Sequence, residues 1–262
     1  MEIIAKISKG SRMDQVYIPK QRSGFPIGNY VIIKSIDKKE EERKKLNFYG
    51  LKSVEPIKIE IVERIIGIID KSIENNNIII TGSFLEKGFD FNDIDILIIG
   101  SNKGKEEDIK KELMKYLGIE AHIIILDNKS LLNGLSNDPL YQTMLSRCVS
   151  KRKFILKRGR KINYKILDLH LLKSKVLIDN FDILNGNEKY DLVRNMTAIY
   201  LFLKEKKISV DLINKEIDKI FDAGAEEIKQ NIINKKKFIK KYKKIYNVTF
   251  KKILEGIKND SK

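Results

Sequence analysis

Tryptophan is absent from the 262 residues, cysteine occurs once, proline four times and histidine twice. The single thiol, Cys148, excludes an internal disulfide and any zinc site built on cysteine pairs. The two histidines, His122 and His170, have no neighbours at metal-ligand spacing in the sequence. The N-terminal MEIIAKISKG lacks the apolar core of a secretory signal. No uncharged apolar run approaches the roughly eighteen residues needed to cross a bilayer. These absences predict a cytoplasmic protein of a reducing compartment with no membrane partner.

What is present is isoleucine, lysine and charge. The chain is 42% hydrophobic and 34% charged, a balance that supports a folded core. Its length suits one large core or two to three modest domains. A net charge of +16 and a pI near 9.6 favour contact with an anionic partner. Lysine is spread along most of the sequence, so compositional bias explains the same surplus equally well.

One stretch organises the rest: Ile78 to Gly100, IIITGSFLEKGFDFNDIDILIIG. A β-branched run ends at Thr81-Gly82-Ser83, a Gly- and Asp-rich turn follows, and Asp93-Ile94-Asp95 opens a second apolar run. Side chains alternate sides along a strand, so Asp93 and Asp95 share a face. Two carboxylates that close repel unless a cation lies between them, and a hard dication takes oxygen ligands. The Gly82-Ser83 turn offers free backbone N–H groups to phosphate oxygens. Together the two features point to nucleotide and Mg²⁺; taken alone, the acidic pair also fits a hairpin whose aspartates cap a strand end.

This segment resembles the signature of the DNA polymerase β-like nucleotidyltransferase superfamily, in its minimal form. The signature is an apolar residue, Gly and Gly or Ser, nine to thirteen residues, then Asp-apolar-acidic-apolar. The chain supplies Gly82-Ser83, the nine residues Phe84 to Asn92, and Asp93-Ile94-Asp95-Ile96. The resemblance implies an α+β fold with a mixed-sheet palm, Asp93 and Asp95 as metal ligands, and Gly82 and Ser83 on the nucleotide phosphates. Lys87, in the intervening loop, is a further phosphate candidate or simply solvated.

The family also draws a third carboxylate from a neighbouring strand in an apolar-acidic-apolar context. Ile119-Glu120-Ala121 matches, making Glu120 the third catalytic and metal-ligand candidate, although many members carry Asp there. His122 shares that strand face by alternation. A helix from Pro56 to about Ile73, with Ile61, Ile65, Ile68 and Ile69 at helical spacing, leads into the Gly-Ser strand. Glu106 to Leu117 reads as an amphipathic helix stopped by Gly118. Asp138-Pro139 reads as the cap and first position of another.

Residues 2–36 read as short strands, at Ile3–Ile7, Gln15–Ile18 and Tyr30–Ile33, broken by glycines. Gln15-Val16-Tyr17-Ile18-Pro19-Lys20 followed by Gly28-Asn29-Tyr30-Val31 resembles the swapped-hairpin fold of AbrB-like regulators. Asn29 stands where Asp is usual, and a loop replaces a short helix. The resemblance implies a homodimer through residues 1–38 and DNA contact through Lys9, Arg12, Lys20 and Arg22; a β-extension of the catalytic domain fits the same residues. The charge run at 38–45 reads as a linker or solvated helix end.

Lys151 to Lys161, KRKFILKRGRK, is either a basic rim for phosphates or a hairpin with an apolar centre. From Leu167 onward the period is helical, with segments at Leu167–Ile178, Tyr190–Lys204, Val210–Phe221 and Ala225–Leu254. Arg194, inside an otherwise apolar helix, either faces the catalytic cleft or is a surface residue. The last segment is rich in lysine and aromatics, a solvated face or a nucleic-acid contact. Three parts are therefore expected: 1–38, a small β-module; 53–165, the nucleotidyltransferase domain; and 166–262, an α-helical domain. The expected activity is Mg²⁺-dependent transfer of a nucleoside monophosphate from an NTP, ATP foremost, to a hydroxyl of RNA, protein or a small molecule. The alternative is a DNA-binding regulator whose nucleotidyltransferase domain senses nucleotide or is inert.

Overall fold

A computed structural model describes residues 7–18, 20, 24, 26–33, 46–89, 91–100, 104–154 and 159–260. The chain divides into two compact units, 1–42 and 43–262.

In the first unit, β1 (Ile7–Ser8) pairs antiparallel with β2 (Gln15–Val16), placing Ile7 opposite Val16. The expected strand at Tyr30–Ile33 does not form: residues 29–33 have no regular structure, and Tyr30, Val31 and Ile33 are exposed. An isolated two-stranded ribbon offers too little edge and apolar face to hold a third strand. Most of the expected first strand, together with Pro19, Arg22 and the 38–45 charge run, lies outside the described residues.

The second unit is α+β and is built on a mixed five-stranded sheet. Its strands are β3 (Asn47–Tyr49), β4 (Asn77–Thr81), β5 (Asp93–Ile99), β6 (Glu120–Leu126) and β7 (Cys148–Ser150). The order is β3-β7-β4-β5-β6, antiparallel except for the parallel β5–β6 pair. Every residue of β4 is buried, which explains its continuous apolar run: a central strand covered on both faces has no reason to alternate. The short strands β3 and β7 carry too few residues to show a period. Their pairing is reinforced by Asn47 and by the Tyr49 hydroxyl, which accepts from the Phe154 amide at 3.0 Å while its ring meets that of Phe154 at 4.7 Å.

The first helix, α1 (Pro56–Ser72), starts on proline as expected and buries Val62, Ile65, Ile66 and Ile69. It packs on α2 (Glu106–Leu117), which lies against β6 and ends at Gly118 with φ 64°. The opposite sheet face carries Ile79, Leu97, Ile99, Leu126 and Cys148, packed with Leu131, Leu135 and Leu145. These leucines come from α3 (Asn128–Asn137) and α4 (Pro139–Leu145), capped by the side chains of Asp127 and Asp138.

The remaining helices are α5 (Tyr164–Ser174), α6 (Val176–Asp179), α7 (Gly186–Leu203), α8 (Val210–Phe221), α9 (Ala225–Lys229) and α10 (Lys235–Asp260). They share a core centred on Val193, Met196, Ile199 and Phe202 of α7, with Tyr242 and Ile253 of α10. The expected continuous helix Ala225–Leu254 is broken. Asn231 takes φ 59°, the left-handed region that Asn tolerates, and its side chain accepts from buried Lys189 at 2.7 Å. Asn234 then caps α10 by accepting from the Lys237 amide. Gly186 stands between α6 and the rest of α7 as the first residue of α7, and glycine is required there because a Cβ would stand 1.7 Å from the Lys229 carbonyl oxygen. Among the described residues no helix is long and apolar enough to cross a membrane.

Candidate active site

Register decides which side chains meet. Thr81 pairs with Asp95 across β4 and β5, and Asp93 and Asp95 pair with Glu120 and His122 across β5 and β6. Paired residues share a face, so Asp93, Asp95, Glu120 and His122 project from one end of one sheet face. It is the same face whose farther residues, Leu97, Ile99 and Leu126, bury against α3 and α4. The carboxylates thus stand at the rim where that apolar layer gives way to solvent.

The turn before them is shaped by its glycine. Gly82 has φ 86°, and a Cβ on it would lie 2.1 Å from Asp95 Oδ2. Only glycine lets the Asp95 carboxylate rest against the backbone of the turn. A short 3₁₀ turn, Ser83–Leu85, follows, with the Leu85 amide bonded to Gly82 O at 3.2 Å and the Glu86 amide to Ser83 O at 2.9 Å. Thr81 anchors the strand end: its hydroxyl lies 2.7 Å from Met144 O and 3.1 Å from Arg147 O.

Asp95 is the electrostatically stressed member. Burial raises its carboxyl above the usual carboxylate range, with the Asp93 charge acting the same way. The His122 hydrogen bond, Nδ1 to Oδ1 at 3.2 Å, and the charge of Arg194 partly offset this. Asp93 and Asp95 thus present two hard oxygen donors on one face, with Asp95 partly desolvated. Glu120 is exposed, in register with Asp93. Among the described residues no three His, Cys, Asp or Glu side chains are drawn together closely enough to hold a metal on their own. Asp93 and Asp95 are side chains of this face that could contribute oxygen ligands to a metal. No protein-family model, curated protein or solved structure matches this chain.

The structure adds residues that the sequence did not single out. Lys58 is fully buried, 0% exposed, at the start of α1. Its amine donates to the Glu86 carbonyl, pairs with Glu55 at 3.3 Å, and lies 5.2–5.9 Å from the ring centroids of Phe84, Phe89 and Phe91. Glu55 Oε1 accepts from the Gly88 amide at 2.9 Å, which holds its carboxyl below the usual range. Two side chains of one helix end thus pin the middle of the loop joining Ser83 to Asp93. The sequence signal was a lysine on the apolar face of an otherwise isoleucine-rich helix. Lys87, by contrast, is exposed.

The helices reach the same region. Lys229 of α9 pairs with Glu86 at 3.4 Å and lies 4.9 Å above the Tyr190 ring of α7. Arg194, one turn on from Tyr190, pairs with Asp191 at 3.1 Å and keeps a buried Nε without a partner among the described residues. Of the two readings open for Arg194, its effect on Asp95 favours the one that faces the site. Over its described part the basic segment 151–161 is divided: Arg152, Lys153 and Lys161 are exposed, whereas the other two cations are engaged. Lys151 is paired with Asp70, and Arg160 stacks over Phe202 and donates to Lys206 O. Residues 155–158 lie outside the described residues.

Proposed function

We propose that residues 43–262 form a nucleotidyltransferase of the polymerase β-like type, moving a nucleoside monophosphate from an NTP to a hydroxyl acceptor. The observation that carries the reading is the seating of the Asp95 carboxylate against Gly82, which brings the Gly82-Ser83 turn and the acidic pair together. In this reading the backbone at Gly82 and the hydroxyl of Ser83 hold the terminal phosphates. Asp93 and Asp95 would hold Mg²⁺, which would supply charge neutralisation at the reacting phosphorus and the leaving pyrophosphate. Glu120, in register beside Asp93, receives the acceptor's hydroxyl proton or orients that hydroxyl for in-line attack. His122 fixes the Asp95 carboxylate by hydrogen bond, and Arg194 moderates its negative charge.

Incubation with each α-labelled NTP and Mg²⁺ tests this. Label is expected in RNA, protein or a small hydroxyl compound, and is lost in Asp93→Ala plus Asp95→Ala. Gly82→Ala is expected to fold and to lose transfer by about a hundredfold or more, since its Cβ displaces Asp95. Glu120→Gln is expected to bind nucleotide yet not transfer it. Absence of label from every NTP in the intact protein would sink the proposal; retained transfer in Glu120→Gln would remove that residue's role.

A further inference from the structure

The surplus positive charge is concentrated on one helix. In α10, ten lysines stand against two acids, Glu255 and Asp260, a surplus of eight within a chain of net charge +16. Compositional bias alone would distribute that surplus in proportion to length, and α10 is 26 residues of 262. Seven of the ten lysines fall between Lys235 and Lys244, a stretch with no acid.

Helical geometry turns this into a surface. At 100° per residue, Lys236, Lys240, Lys243, Lys244 and Lys251 fall on one side of α10, and all five are exposed. Phe238, Tyr242, Tyr246, Thr249 and Ile253 fall on the opposite side and are buried. Of the lysines beside the stripe, Lys235 is neutralised by Asp182 and Lys241 by Asp222, while Lys237 and Lys252 are exposed. The five on the stripe have no ion-pair partner among the described residues. Successive lysines at i and i+4 rise by about 6 Å, and the stripe continues to Lys258, about 33 Å from Lys236.

We infer that this stripe binds the phosphodiester backbone of a polynucleotide. A row of unpaired cations at regular rise suits a linear polyanion, which exchanges condensed counterions for the lysines. An anionic membrane is disfavoured because a helix lying in lipid buries its apolar face there. The apolar face of α10 is already spent on the core it shares with α5, α7 and α8. The inference does not depend on the catalytic reading, and neither does its test.

Fluorescence anisotropy of the full chain with labelled single-stranded RNA and with duplex DNA, across a salt series, is the experiment. Binding to at least one is expected, and the comparison shows which form is preferred. Lys240→Gln, Lys243→Gln and Lys244→Gln together should weaken binding at low salt about tenfold or more and flatten the log–log salt slope by about 2. The same charge change on α2, at Lys110, Lys111 and Lys115, should leave binding near wild type. Circular dichroism confirms that both triple variants fold. Equal loss in the two variants would reduce the effect to net charge and overturn the assignment, as would no binding to either polynucleotide. Anionic vesicles bound as tightly, and released by the same three substitutions, would overturn the choice of partner.

Discussion

Single residues here show conformation and ionisation set by what lies against them. Gly82 is needed because Thr81, just before it, pairs with Asp95 across the sheet and brings that carboxylate against the turn, a requirement invisible without the β4–β5 register. Cys148 illustrates burial acting alone. Packed among Ile79, Leu97 and Leu145, its thiol is pushed up to about 12. The thiolate is the nucleophile, so the folded chain should resist alkylation. In denaturant, labelling by iodoacetamide should climb steeply as pH rises through the ordinary thiol range. In native protein it should remain at baseline over that range, because ionisation is displaced upward. A native labelling curve with a midpoint near that of a free thiol would contradict the burial.

At the scale of elements, the loop from Ser83 to Asp93 is held by another element's first turn. Lys58 and Glu55 satisfy the Glu86 carbonyl and the Gly88 amide, and three phenylalanines enclose the amine. Replacing Lys58 by Met keeps most of the volume and leaves that carbonyl unsatisfied. A loss of about 1–3 kcal/mol in unfolding free energy is expected. Hydrogen exchange should show deprotection of the Gly88 amide beyond what global destabilisation accounts for. NTP binding should weaken with it, since the turn that offers Gly82 and Ser83 loses its support. Unchanged protection at Gly88 would show that Lys58 does not position the loop.

For the molecule as a whole, the two units make separable contributions. The described cores that unite the sheet with α3 and α4, and the helices with one another, draw only on residues of 43–262. A chain beginning at Arg43 should therefore fold with a melting temperature close to the parent's. Beginning at Ser53 instead would remove β3 from the sheet edge beside β7 and should destabilise it. Lys9, Arg12 and Lys20 are exposed in the first unit, so the alternative of a DNA-binding regulator is tested on the same chain. With binding carried by α10, the Arg43 chain should shift nucleic acid in a gel as the full chain does. Loss of the shift on truncation would transfer the binding to residues 1–42.

Much of this was legible in order of sequence because it depends on local chemistry. The proline start of α1, the Asp138 cap of α4, the Gly118 stop of α2 and the shared face of Asp93 and Asp95 follow from neighbours a few residues away. What was not legible depends on partners far along the chain. The strands β3 and β7 were missed because three residues carry no period, and their pairing spans about a hundred positions. The break before α10 turned on Asn231 meeting Lys189, and the fate of Tyr30–Ile33 on the lack of an edge to join. Local pattern sufficed for the Gly-Ser turn, the shared face of the acidic pair and the lysine-rich character of the last helix, since periodicity assigns side chains to faces without reference to the rest of the fold. Only the tertiary structure decided that Glu120 and His122 stand in register with that pair, that Lys58 holds the intervening loop, and that the apolar side of α10 is already occupied. Each of these is a contact between elements, and sequence spacing carries no distance across space.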